Sequence, residues 1–332
     1  MKTEGLCIRF MYKENSVFLI MMVGVPGSGK STHAKTLSLM YDARVFSSDE
    51  YREKLLGNQN DQSNNELIFS SMYSDIACDL NSGKNCILDA TNVSTKDRKR
   101  ATERIESILR KEYKSTISYK KMAVPCLTNI PECIENDKNR DRSVGVSVIL
   151  KFVGRFEYPQ YFEGFDIIIP YYGRNSCSIS REDIYSAMSG FNQNSKYHKY
   201  DLFTHSMVLS DLYSYSNNAL MSEVAKFHDI GKLFTESKDE EGFSHFYQHA
   251  NYSAYILACN PNIVEFNKKY NYAYRDVLFY VNQHMHIRDI VKSEKAIKKY
   301  KELWGEEKFN KLVEFMNNDN KASGRVLDEC GS

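Results

Sequence analysis

The chain has 332 residues, 42% of them hydrophobic and 26% charged, with a net charge of +1. That length suits about two domains with real cores, and the charge balance excludes a global pull on a polyanion, so any nucleic-acid site must be a local basic patch. The longest apolar run, Val17 to Val25, falls well short of the about 20 residues that a membrane span needs.

In chain order, strand-like and helix-like stretches alternate from Val17 to Pro170. Strands are predicted at Val17–Val23, Arg44–Ser47, Asn85–Asp89, Ser115–Val124 and Phe165–Pro170. Helices are predicted at Ser31–Met40, Asn65–Asn81, Lys96–Lys114 and Ile130–Arg140. This alternation predicts an α/β fold, a parallel sheet with helices on both faces. Tyr171–Asn194, rich in Ser, Asn and Tyr, then reads as linker. From Ser195 only helices are predicted, near Leu202–Ser214, Ala219–His228, Phe246–Cys259, Tyr274–His284, Ser293–Tyr300 and Glu306–Asn317, with Ser323–Ser332 as a frayed tail. The expected division is an α/β domain over 14–173, a linker over 174–196 and an all-α domain over 197–325. Eight scattered cysteines without a CxxC pair predict free thiols in a reducing compartment. The N-terminus lacks the order of a secretory signal. The expected location is cytoplasmic, with no membrane partner.

Gly24-Val25-Pro26-Gly27-Ser28-Gly29-Lys30-Ser31 fits the phosphate-binding pattern Gly-x4-Gly-Lys-Ser/Thr between a predicted strand and a predicted helix. Glycines let the loop wrap an anion with its N–H groups inward, and the helix adds the positive end of its dipole. Gly24, Pro26, Gly27, Ser28, Gly29 and Thr32 are therefore expected around the phosphates of ATP or another nucleoside triphosphate. Lys30 reaches the β- and γ-phosphates, and Ser31 ligates Mg²⁺. Asp49 and Arg52 follow the second strand, whose end should face the nucleotide. Asp49 is placed to take a proton from an acceptor hydroxyl, and Arg52 to hold an acceptor phosphate. From spacing alone, an N-cap Asp with a solvated Arg reads the same. Asp89 ends the third strand and suits Mg²⁺ or its waters, or caps the next helix. Arg140 and Arg142 can form a lid over the phosphates. Lys96, Arg98, Lys99, Arg100 and Arg104 could line an acceptor groove, although such a run is also a common solvated helix face.

The motifs GVPGSGKST, SSDEYR and DATN, followed by an Arg-bearing segment, resemble the polynucleotide 5′-kinase family over about Val17–Pro170. The resemblance implies ATP-dependent phosphorylation of a 5′-OH nucleic-acid end. It implies phosphate and metal contacts from Lys30 and Ser31, a general base in Asp49, an acceptor-phosphate contact in Arg52, and a lid Arg in Arg142 with Arg140. Where that family often has Arg before the Asn of the lid, this chain has Glu135 before Asn136.

Seven of the eight histidines lie in the second half. His205, His228-Asp229 and Asp319 combine imidazole and carboxylate donors that suit Mn²⁺, Fe²⁺, Ni²⁺ or a similar ion, which can clamp a phosphoryl oxygen. His249, His284 and His286 could add a second metal or a phosphate contact, whereas His198 and His245 read as ordinary surface or core residues. The ordered set is similar to the HD phosphohydrolase superfamily over about Tyr200–Ser323, with Phe203-Thr204-His205-Ser206, HDIGK, Phe246–His249, Gln283–His286 and Asn318–Ala322. That resemblance implies His205, His228, Asp229 and Asp319 as ligands of a first metal, His249 and His284 as ligands of a second, and Lys232 on the phosphate. Asp289 and Asp276 compete with Asp319 for the last place. Together the halves resemble fused end-healing enzymes acting on RNA or DNA ends, with a separate ligase as a partner, although those carry the HD domain first. Two further readings stand beside this one. One is a small-molecule or nucleotide kinase fused to a nucleotide phosphohydrolase, and the other is a non-catalytic nucleotide- and metal-binding sensor.

Overall fold

The computed structural model describes residues 16–59, 61–173, 179–194, 199–216, 218–264 and 274–323. Val17–Val23 forms β1, and six of its seven residues are buried. An unbroken apolar strand of this kind needs strands on both sides and cover on both faces. β1 pairs in parallel with Asn85–Asp89 (β3) and Tyr119–Leu127 (β4), placing Ile20 between Ile87 and Met122. Ala43–Ser47 (β2) pairs with β3 and Ile167–Ile168 (β5) with β4, giving the order β2-β3-β1-β4-β5. Tyr171–Tyr172 (β6) joins the end of β4. All these pairings are parallel.

Lys30–Tyr41 (α1) buries Ala34, Leu37 and Tyr41 in the core that also holds Phe18, Ile20 and Met22 of β1. Ser48–Leu56 (α2) leaves directly from β2. Asn65–Asn81 (α3) and Thr95–Lys111 (α4) begin at Asn64 and Ser94, whose side chains accept from Leu67 N and Asp97 N. In α4 the buried positions Arg98, Ala101, Thr102, Ile105 and Leu109 recur at helical spacing, and the rest of the helix is charged. Ile130–Lys138 (α5) is followed by Val146–Val153 (α6), a helix the alternation does not signal.

The stretch expected as linker is not linker throughout. Arg181–Met188 (α7) is a helix with a capping box between Ser180 and Asp183, and it buries Ile184 and Met188. The helices that follow are Leu202–Tyr215 (α8), Ala219–Phe227 (α9), Lys232–Thr235 (α10), His249–Cys259 (α11), Tyr274–Gln283 (α12), Ile287–Ile290 (α13), Glu294–Trp304 (α14) and Glu306–Ala322 (α15). The expectation of helices only is corrected by an antiparallel hairpin of Glu236–Lys238 (β7) and Ser244–Phe246 (β8). Its turn is set by Asp239, whose carboxylate accepts from Glu241 N and Phe243 N, and by Gly242 at φ 85°. Three-residue strands carry too little periodicity to be read from sequence. His198 and most of the expected tail lie outside the described residues.

By contacts, the chain divides into one unit of Met1–Ile149 with Pro159–Arg174 and another of Leu150–Tyr158 with Asn175–Ser332. Leu150–Tyr158 is tied into the second unit: Phe156 O accepts from Asn251 and Asn282, and Leu150 O from the Tyr252 hydroxyl. No helix of the described residues is long and apolar enough to cross a membrane. Among the described residues, Cys78, Cys86, Cys126, Cys133 and Cys259 are not joined in disulfides.

Arg98 is 1% exposed and meets Glu163 through two hydrogen bonds of 2.7 and 2.8 Å. Removing one member of a buried pair strands the other charge. Arg98→Met is expected to lower the unfolding free energy of this unit by about 3–5 kcal/mol in urea titration. Arg98→Met with Glu163→Met should recover a large part of that loss.

Candidate functional site

In the first unit the loop after β1 turns on Gly27 and Gly29, at φ 79° and 81°. A methyl group on Gly27 would sit 2.1 Å from the Cys133 carbonyl oxygen, so close backbone approach as well as φ requires glycine. Gly24 N donates to Thr91 O, Asn136 Nδ2 to Gly27 O, and Thr128 Oγ1 to Ser28 O. The loop is thus held by the ends of β3 and β4 and by α5. Gly24 to Ser28 are buried, Pro26 among them, while Thr32 is exposed on the first turn of α1. The Ser28 hydroxyl is buried without a hydrogen-bond partner. That is an unmet polar group inside a loop of anion-binding shape.

Lys30 Nζ donates to Val25 O at 2.8 Å, and burial lowers its pKa against the opposing pull of Asp89. Asp89 is 5% exposed; burial raises its pKa, while a hydrogen bond from Ser31 and the Lys30 charge lower it. Ser31 and Asp89 therefore face each other as a hydroxyl and a carboxylate beside Lys30, a pairing that fits Mg²⁺ on a nucleotide. Asp49 lies between two guanidiniums: Arg52 Nη1 is 2.9 Å from Oδ1 and Arg142 Nη1 is 3.2 Å from Oδ2. Arg52 is 6% exposed and also donates to Asn65 Oδ1. Arg140 lies near enough to Lys30 and Asp89 to act on their charges. The two arginines expected in a lid thus separate, Arg142 to the Asp49 carboxylate and Arg140 toward Lys30 and Asp89.

Sequence reasoning missed Asp137. It accepts from Ser143 Oγ, Val144 N and Gly145 N at 2.6–3.0 Å and folds the Arg-bearing segment back onto α5. Burial opposes its charge, but those hydrogen bonds hold its pKa below the usual range. Among the suggested groove residues, Arg98 is spent internally on Glu163, Asn92 O and Val93 O, so it cannot face a ligand.

In the second unit His205 (α8), His228 and Asp229 (end of α9) and Asp319 (α15) converge. His205 Nε2 is 3.1 Å from Asp319 Oδ1, and His228 Nε2 is 3.2 Å from Asp229 Oδ2 and 3.6 Å from Asp319 Oδ1. On the other side of Asp229, Oδ1 lies 3.0 Å from His249 Nε2 and 3.5 Å from His284 Nε2. Gly231 lets α10 approach α11, since a methyl group there would lie 2.1 Å from His249 O. Of the three competing aspartates, Asp319 is the one that lies among the histidines. Asp289 is exposed and paired with Lys292, and Asp276 pairs with Lys308. His286 turns instead to Gln283 and the ring of Tyr300, and His245 to Asp239. Lys232 Nζ is 2.6 Å from Asp229 Oδ2 and donates to the buried Gln193. Arg288, also missed in sequence, grips the outer oxygen of Asp319 and Asn320 Oδ1.

This pocket passes a chemical test for a cation. His228, His249 and His284 each turn Nδ1 to a backbone carbonyl at 2.6–2.8 Å, which leaves Nε2 facing inward as a donor atom. The buried atoms His228 Nε2 and Asp319 Oδ1 make no well-formed hydrogen bond. Among the described residues, two donor groups are close enough for an ion, His205/His228/Asp319 and His228/Asp229/His284. In protein without metal the charges lean on each other. Burial opposes protonation of His228, yet Asp229 and Asp319 outweigh it and raise its pKa to about 10. Burial lowers His284 to about 4. Asp229 and Asp319 are held well below the usual carboxylate range, their histidine neighbours overcoming burial.

Residues 19–159 match the family model described as an AAA domain, a span shorter than half of the chain. The first unit is thus a parallel-sheet P-loop domain, a fold that implies ATP and usually Mg²⁺. The following part of the chain is mainly helical. No curated protein matches the chain. Among solved structures, the chain is similar to a fungal RNA kinase, at 16% identity and TM-score 0.36, over 52% of this chain and 82% of that one. It is also similar to the shikimate kinase from Acinetobacter baumannii in complex with shikimate, at 17% identity and TM-score 0.31, over 48% and 86%.

Gly27→Ala is expected to abolish binding of a fluorescent ATP analogue measured by titration with Mg²⁺, because the loop must open to admit a Cβ. In chelator-treated protein the two histidine shifts set a pH optimum of stability. His284 binds protons in the unfolded chain between about pH 4 and 6.5, so stability rises with pH there. His228 contributes stability below about 6.5 that is lost as pH rises toward 10. Thermal unfolding of the second unit should therefore peak near pH 6.5, and His228→Gln should flatten the alkaline side.

Proposed function

We propose that the chain is a bifunctional nucleic-acid end-healing enzyme. Its first unit phosphorylates 5′-OH polynucleotide ends with ATP. Its second unit hydrolyses 2′,3′-cyclic phosphate and 2′- or 3′-phosphate ends. The observation that carries the kinase half is Asp49 held at 2.9 Å by Arg52, which itself is nearly buried. A carboxylate and a guanidinium so joined match an acceptor that presents a hydroxyl beside a phosphate. The acceptor hydroxyl takes the place of Arg142 on Asp49 Oδ2 and gives its proton to that carboxylate. Its oxygen then attacks the γ-phosphorus, and ADP leaves. Lys30 neutralises charge on the β- and γ-phosphates, and the released Arg142 joins Arg140 in stabilising the transferring group. Ser31 and Asp89 would hold Mg²⁺, which would supply further charge neutralisation on the phosphates.

In the second unit His205, His228, Asp229 and Asp319 would hold one metal, and His249 and His284 with Asp229 would hold a second. Such ions, Mn²⁺, Ni²⁺ or Fe²⁺, supply positive charge to a phosphoryl oxygen and make water more acidic. Gln193 steers Lys232 toward that pocket, where its ammonium meets the substrate phosphate. The products, a 5′-phosphate and a 3′-OH, are what a separate ligase requires. We place this activity in the cytoplasm.

The test uses labelled ATP with Mg²⁺ and a 5′-OH oligonucleotide, and separately Mn²⁺ or Ni²⁺ with a 2′,3′-cyclic-phosphate end. Asp49→Ala should lower the first rate by about 10²–10⁴-fold and spare the second, and Asp229→Ala should do the reverse. Absence of labelled oligonucleotide with wild-type protein refutes the kinase half. Loss of both activities in either folded variant refutes the two-site assignment.

A further inference from the structure

A groove of about 300 Å³ runs between α3 and α4 in the first unit. Glu66, Phe69 and Ser70 line one wall, and Arg100, Arg104 and Lys111 the other. Arg100 and Arg104 both converge on the single carboxylate of Glu66, all three side chains being more than half exposed. Two guanidiniums closing on one carboxylate form an oxyanion clamp, and exposure lets a stronger anion displace that carboxylate. One residue of its lining, Phe69, stands beside Arg52. Arg52, hydrogen-bonded to Asp49 and to Asn65 at the start of α3, sits 6.0 Å from the ring of Phe69.

We propose that this groove holds the body of a single-stranded polynucleotide whose 5′ end lies at Asp49 and Arg52. Arg100 and Arg104 take successive backbone phosphates in exchange for Glu66, Lys111 takes a phosphate further along, and Phe69 offers a ring for a base. From Arg100 to Lys111 the helix rises about 16 Å, room for about four stacked nucleotides at roughly 3.4 Å each. Phosphates satisfy a guanidinium pair from any sequence, and one half-buried ring at the groove wall stacks on any base, so the groove selects for a strand and not for its sequence. This inference rests on the reading of the first unit as a polynucleotide kinase, because it extends that acceptor site.

The test is fluorescence anisotropy with full-length protein and a 3′-labelled, 5′-OH single-stranded RNA of twelve nucleotides, without ATP, over a range of salt. The doubly substituted Arg100→Gln/Arg104→Gln protein should bind about tenfold more weakly, with a salt slope shallower by roughly 1.4, about 0.7 per lost phosphate contact. Glu66→Gln should bind more tightly than wild type, a change of sign that misfolding cannot produce. Unchanged affinity and slope in the double variant, or weaker binding by Glu66→Gln, overturns the groove. If the arginine-dependent binding is present but no phosphate is transferred to the strand, the kinase reading falls and the groove stands. If the strand is phosphorylated while the double variant binds it like wild type, the groove falls and the kinase reading stands.

Discussion

Parallel register is the constraint on which the first unit depends. β1 lies between β3 and β4, and β2 runs beside β3, so the carboxyl ends of these strands share one edge of the sheet. The phosphate loop leaves β1 at that edge, Asp49 follows β2, and Asp89 ends β3. A one-residue slip in a strand would turn its inward face outward, and burial of β1 on both faces makes such a slip costly. The site is therefore a by-product of where the apolar strands must stop.

Positive charge is spent in different currencies along this unit. Arg98 is locked inside by Glu163 and serves the fold. Arg52 is nearly buried but keeps one arm on Asp49. Arg142, half-buried, reaches Asp49 from the other side, and Arg100 and Arg104 remain half in water on Glu66. The degree of burial decides the role, because an exposed ion pair exchanges partners at little cost whereas a buried one does not.

The second unit faces the opposite problem, an excess of ionisable groups out of water. Asp229 meets two histidines on one oxygen and His228 with Lys232 on the other. Burying such a set is expensive unless every charge is answered. Backbone carbonyls answer the Nδ1 atoms of His228, His249 and His284, and Arg288 answers the outer oxygen of Asp319. The inward atoms are left to one another, which is the arrangement a bound cation would relieve.

The sequence by itself determined what could be read locally. An unbroken apolar run marked β1, a capped amphipathic run marked Asn65–Asn81, and glycine spacing marked the phosphate loop, each because its cause lies within a few residues. It did not separate Arg98 from Arg100, since a run of charges looks alike until the helix is packed and one side chain is turned inward. It preferred Asp319 to Asp289 on position alone and could not bring it to the histidines, nor could it show the short hairpin after Thr235 and the helix inside the expected linker. Those were decided by the tertiary structure, where α8, α9, α11, α12 and α15 bring together residues more than a hundred positions apart. Burial and distance, not residue type, then separate a surface carboxylate paired with lysine from one held among histidines.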